Sequence, residues 1–134
     1  MRNQLQMTAA LVALGLSINA ASAQDTERGR QEYMQSCAVC HGESGKGDGQ
    51  LAEIMTVPVP DLTQISARHD GKFPILDIFM IIDGRTGVRG HGYPMPVWGA
   101  RYKAEEAHRS AMGAEISVRA RLLELTYYLQ TIQE

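Results

Sequence analysis

The 134-residue chain contains two cysteines, three positions apart, with a histidine directly after the second: Cys37-Ala38-Val39-Cys40-His41. At that spacing two thiols can add to the vinyl groups of one haem while the adjacent imidazole reaches its iron. Such a chain would have to fold around a flat apolar disc. The same pair is also compatible with a thioredoxin-like redox couple, half of a zinc site, or a short-range disulfide. A redox couple of that kind needs a βαβ framework, and no run of alternating residues surrounds Cys37. A zinc site needs two more ligands, whereas His69, His91 and His108 lie at wide intervals without paired spacing. Haem attachment is the reading carried forward.

The first residues have the form of a secretory signal. Arg2 supplies a positive start, Met7 to Ile18 is mostly apolar, and Ala21-Ser22-Ala23 matches the small-x-small cleavage pattern. A transmembrane helix needs roughly 20 apolar residues, and Asn3, Gln4, Gln6 and Asn19 bracket this stretch too tightly. The expectation is cleavage after Ala23, export to the periplasm, and a single small domain over residues 24–134. Without Arg2, 12 basic face 15 acidic side chains, a formal charge of −3. No polybasic tail or basic helix is evident, so nucleic acid is not an expected partner, and no membrane span is expected after cleavage. The charge is unevenly spread. Between positions 68 and 103, Arg68, Lys72, Arg85, Arg89, Arg101 and Lys103 face only Asp70, Asp77 and Asp83. If those cations ring the functional site, they would steer an acidic partner towards it.

The element pattern is helical. Asp25 or Thr26 can cap a helix from about Glu27 into Cys37, with Gly29 and Tyr33 one turn apart on one face. Glycines 42, 45, 47 and 49 then predict a flexible, turn-rich connection, and Gln50 to Met55 a helical turn or two. Pro58 and Pro60 force an extended path to Leu62. Phe73 to Asp83, ended by Gly84, reads as a helix so apolar around its circumference that burial on most sides is expected. Val118, Leu122, Leu125, Leu129 and Ile132, at alternating steps of four and three, mark one apolar face of a terminal helix. The surface expected for it to pack on is the first helix, where Gly29 permits close approach. Arg101 to Gly113 reads as a polar connection. The fold class expected is all-α, with Gly- and Pro-rich loops between helices.

A haem held by His41 leaves the opposite face of its iron to be filled, which decides between electron transfer and chemistry on a bound small molecule. The candidates are Met34, Met55, Met80, Met95, Met112 and the three other histidines. Met95 stands out because Pro94 and Pro96 flank it and restrict the loop that presents it. His91, four residues earlier, can compete.

Across essentially all of residues 24–134 the chain resembles a bacterial class I c-type cytochrome, a monohaem domain. The matching pieces, in order, are Cys37-x-x-Cys40-His41 with its Gly-rich loop, Pro60-Asp61-Leu62-Thr63, the helix end Ile81 to Arg85, Met95-Pro96-x-Trp98, and a terminal helix with Tyr128-Leu129. The resemblance implies the cytochrome c fold around one covalently attached haem c. It implies that Cys37 and Cys40 form the thioethers, that His41 and Met95 ligate the iron, and that the Pro60 carbonyl accepts the other His41 ring N–H. It places Leu62 and Trp98 in the pocket lining, and makes the crossing of first and last helices from Gly29, Tyr33 and the Leu125 to Tyr128 turn. The function it implies is a soluble periplasmic one-electron carrier, monomeric in isolation and not an enzyme. Its redox partners would be a donor dehydrogenase and an acceptor oxidase or reductase. Two alternatives stand beside it: a cytochrome c subunit of a larger dehydrogenase or oxidase, and a gas sensor if Met95 is displaceable.

Overall fold

The computed structural model describes residues 26–85 and 95–134. The signal-peptide expectation for residues 1–23 and the candidate ligand His91 lie outside the described residues. Among those described, the ordered elements are helices and no strand forms. Helix α1 covers 26–36, and after a one-residue break at Cys37 the chain continues as α2, Ala38–His41. The break keeps helical pairing, since the Cys37 amide donates to the Tyr33 carbonyl (2.8 Å) and the His41 amide to the Cys37 carbonyl (2.9 Å).

The glycine loop is more ordered than the sequence suggested. Its amides turn back onto the carbonyls that α2 leaves open at its C-terminal end. Gly47 N donates to His41 O (2.8 Å), Gly49 N to Cys40 O (3.1 Å) and Leu51 N to Val39 O (2.9 Å). A methyl group on Gly49 would lie 2.6 Å from the Ala38 carbonyl oxygen and 2.6 Å from the Cys40 carbonyl carbon, so this close return requires glycine. Short 3₁₀ turns follow at Ala52–Ile54 and Ala67–His69.

Helix α3, Ile75–Asp83, ends on Gly84, whose φ of +86° lets its amide reach the Met80 and Ile81 carbonyls. Its burial is lower than its composition suggests. Only Ile82 and Asp83 are buried, Leu76 is exposed, and Ile78 and Ile81 are half-buried because they face a cleft.

The stretch read as a polar connection holds a helix, α4, Trp98–Glu105, with Trp98, Gly99 and Tyr102 on its buried side. The terminal helix α5 runs Ala111–Thr131, with the Ser110 hydroxyl accepting from the Gly113 amide at 3.2 Å as its N-cap. The expected apolar face is buried at Val118, Leu122, Leu125 and Leu129. α3, α4 and α5 pack on one another. α1 crosses α5 at Gly29, where an added methyl group would overlap the Glu124 carbonyl and lie 2.8 Å from Tyr128 Cβ. One turn along, the Tyr33 and Tyr128 rings meet at 5.2 Å.

Polar ties fix these helices around the core. Glu32 on α1 accepts from Arg121 Nε and Nη2 on α5 (both 3.1 Å) and from the Tyr102 hydroxyl on α4 (2.7 Å). Burial opposes ionisation of Glu32, but the hydrogen bonds from Arg121, Tyr102 and Ser36 outweigh it and hold the carboxyl below its ordinary range. At the chain end, Gln133 Nε2 donates to Leu62 O (2.9 Å) and its Oε1 accepts from the Ser66 amide (2.8 Å), anchoring α5 to the 62–66 segment.

Candidate functional site

The helices enclose an apolar cleft with about 400 Å³ not filled by atoms, part of it open to solvent. Leu62 and Ile65 come from the post-proline segment, Ile78, Ile81 and Ile82 from α3, and Leu125 and Leu129 from α5. Tyr33 adds only its ring, because its hydroxyl is turned away to donate to the Gly42 carbonyl at 2.6 Å. The remaining lining groups are Cys37, His41 and Met95.

His41 is 5% exposed, with its Nδ1 3.2 Å from the Pro60 carbonyl oxygen. A carbonyl can only accept, so Nδ1 carries the proton and the Nε2 lone pair is left free. Burial lowers the His41 pKa, against the opposing pull of the Pro60 carbonyl, which favours a neutral imidazole with a lone pair to give. The prolines that force an extended path therefore also deliver the acceptor that orients this ring.

Cys37 and Cys40 form no disulfide. Burial pushes the Cys37 thiol up to about 12, which makes it a poor thiolate and a poor centre for thiol–disulfide exchange. Among the described residues no group of three or more His, Cys, Asp or Glu side chains could hold a zinc ion. A lining that is apolar apart from one free imidazole nitrogen, a thioether and a thiol, with a second thiol one helical turn away, fits a haem.

Met95 is half-buried and reaches the cleft, whereas Met34 and Met80 do not line it, and Met55 and Met112 are also absent from its lining. The segment after Met95 is clasped by the end of α3. A methyl group on Gly84 would overlap Val97 Cγ1, and one on Gly99 would overlap the carboxylate of Asp83. Asp83 is itself buried and ion-paired with Arg85. Sequence reasoning did not single out Asp83. A carboxylate in the last turn of a helix, where the macrodipole disfavours it, was the available signal.

Trp98 departs from the expectation. It is buried but does not line the cleft, because as the first residue of α4 it stacks at 5.6 Å on Tyr102, one turn along the same helix. The cations between 68 and 103 are also differently used than steering required. Arg85 and Lys103 both reach Glu115 on α5 (3.5 and 3.0 Å), and Arg101 lies over the Trp98 ring at 5.1 Å. Hydrogen bonds from Arg119 and Lys103, with their charges, hold the Glu115 carboxyl down to about 2.

The family model of cytochrome c matches residues 26–114. The chain is 33% identical over 100 residues to the cbb3-type cytochrome c oxidase subunit CcoP of Azospirillum brasilense, covering 75% of this chain and 30% of the relative. It is 32% identical over 88 residues to the subunit of the same name in Azospirillum sp. (strain B510), covering 66% and 27%. The chain thus spans less than a third of the length of these relatives. No solved structure matches it. The chain belongs to the cytochrome c family: it is an all-α, class I monohaem electron-transfer domain. Its cofactor is covalently attached haem c with its iron, for which Cys37, Cys40 and His41 supply the Cys-x-x-Cys-His motif.

Proposed function

We propose that this domain is an exported, soluble carrier of single electrons in the periplasm, in which Cys37 and Cys40 would form the thioethers, His41 and Met95 would hold the haem iron, and the chain has no substrate chemistry of its own. The observation that carries the reading is that His41, oriented by Pro60, and Met95 reach the same apolar cleft. Haem c supplies reversible exchange between ferrous and ferric iron. His41, held by one ring nitrogen, keeps the other aimed without rotamer freedom. Met95 closes the position at which a small molecule would otherwise bind. The isoleucine and leucine lining excludes water and penalises the extra positive charge of the ferric state, which raises the potential. None of the described helices is long and apolar enough to cross a membrane.

The experiment is a redox titration of the exported protein with haem quantified per chain, followed by carbon monoxide addition to the ferrous form. One haem and one electron per chain, with carbon monoxide excluded, is the expected result; rapid carbon monoxide binding would move the protein to the gas-sensor class. The clasp at the end of α3 gives a further expectation. Asp83→Ala should leave the haem covalently bound but loosen the loop after Met95, so that ferrous carbon monoxide binding becomes measurable and the ferric sulfur-to-iron band weakens.

The similarity to CcoP subunits favours a second reading, in which the domain works as the cytochrome c component of an oxidase complex. Stable co-purification of an oxidase or dehydrogenase with the tagged chain would support it over the free carrier.

A further inference from the structure

Where α2 reaches the surface, the chain exposes apolar side chains that its own packing does not use. Val39, next to the half-buried Cys40, is 45% exposed, Leu51 39% and Ile54 76%. They form one surface, because the Leu51 amide donates to the Val39 carbonyl and the Ala52–Ile54 turn packs against α2. Scattered single hydrophobes on a surface need no explanation, but three grouped at a cofactor motif do.

The charge around them has one sign. Glu43 and Asp48 line a shallow groove with Val39, and Glu53 stands exposed in the turn between Leu51 and Ile54. From position 31 to position 67 Lys46 is the only lysine or arginine, and it is paired with Glu134 at 2.9 Å. The remaining acids of that stretch are engaged elsewhere, Glu32 with Arg121 and Asp61 with Thr63. The described cations nearest in sequence to Met95 are bound to carboxylates of α3, α4 and α5, as Arg85, Arg101 and Lys103 are.

We propose that the Val39–Leu51–Ile54 patch, rimmed by Glu43, Asp48 and Glu53, is the docking surface for a redox protein with an apolar centre and a basic rim. This reverses the partner charge that the 68–103 segment suggested, and it rests on the reading of the domain as an electron carrier. Apolar contact at the centre excludes water between the two cofactors, while the carboxylates raise the encounter rate of a positively charged partner. A second copy of the same chain is disfavoured here, because it would bring carboxylate against carboxylate.

The test uses two outer-sphere oxidants of opposite charge on the ferrous haem-loaded protein: tris(1,10-phenanthroline)cobalt(III), cationic with apolar ligand edges, and hexacyanoferrate(III). In each reaction one electron leaves the ferrous iron and reduces the metal complex by one unit, with no bond or proton transferred. The cobalt rate is expected to fall severalfold as salt is raised, and the hexacyanoferrate rate to rise. Glu43→Lys with Glu53→Lys should flatten or invert both dependences. Glu27→Lys with Asp77→Lys, which changes net charge equally away from the patch, should leave most of them intact. Leu51→Ser with Ile54→Ser should slow the phenanthroline complex alone.

Equal effects of the two charge reversals would overturn the proposal, since only net charge would then be sensed. Salt dependences of the opposite sign would overturn it in favour of the cationic segment. A protein that carries no haem and reacts with neither oxidant would instead remove the carrier reading on which the proposal stands.

Discussion

Replacing both Cys37 and Cys40 with alanine is expected to abolish covalent haem retention and, with it, the stable fold. Acid–organic extraction should strip all haem from the double variant and none from the parent. The structural consequence follows from the cleft. Without haem, Leu62, Ile65, Ile78, Ile81, Ile82, Leu125 and Leu129 line an apolar cleft that has lost its filling. A group that binds the folded chain and not the unfolded one stabilises the fold, so the haem-free chain should melt earlier than the parent or fail to accumulate. Single replacements should separate the two attachment points. Cys40→Ala keeps the buried Cys37 thiol at the cleft and should retain one thioether. The reduced spectrum should then move to longer wavelength, because the unreacted vinyl group extends the conjugated ring. A double variant that folds and melts like the parent would show that the cleft does not depend on the cofactor.

The second large effect is expected at the crossing of α1 and α5. Gly29 has no space for a side chain, since an added methyl group overlaps the Glu124 carbonyl, a backbone atom that moves only if the helices part. Gly29→Ala gains up to about 1 kcal/mol of intrinsic helix preference. Overpacking against a rigid backbone costs about 1–3 kcal/mol, occasionally more. Gly29→Val, which adds more bulk with only part of that gain, should lower stability by about 3 kcal/mol in denaturant unfolding of the ferric protein. Separation here also disturbs Tyr33, which lines the cleft and holds the Gly42 carbonyl. Unchanged stability of Gly29→Val would mean the crossing is looser than its contacts require.

The parts of this molecule that sequence made legible are those set by local chemistry. The thiol spacing, the Gly84 helix end and the four-three rhythm of Val118 to Leu129 each need only neighbouring residues to be read, whereas the Pro60 carbonyl beside His41, 19 residues away, came only with the family resemblance. Gly29 was legible as a gap that only a partner helix could explain. What was missed depends on distant partners. The order of the 42–49 loop comes from amides meeting α2 carbonyls, an arrangement that glycine content alone does not reveal. Helix α4 was hidden because its buried residues, Trp98 and Tyr102, follow a proline-rich stretch, although their four-residue spacing carried the signal. The cationic segment was read without its counter-charge, because Glu115 lies on another helix.

The partly buried Glu32–Arg121–Tyr102 network joins α1, which leads into Cys37, α4, which follows Met95, and α5, which walls the cleft. It gives a physical reason why a domain this small can hold its two candidate ligands in register. Apolar packing of α1 on α5 sets their distance, and this charged tie sets their rotation.

On this reading His41 and Met95 would hold one covalently attached haem between them. The most direct measurement is the absorption spectrum of the ferric protein, produced in a host that attaches haem c and recorded alongside acid–organic extraction. Haem that resists extraction, together with the weak long-wavelength sulfur-to-iron band that disappears in Met95→Ala, is the predicted result. Covalent haem without that band in the parent would contradict Met95 as the distal ligand and leave the electron-carrier account without its closed iron.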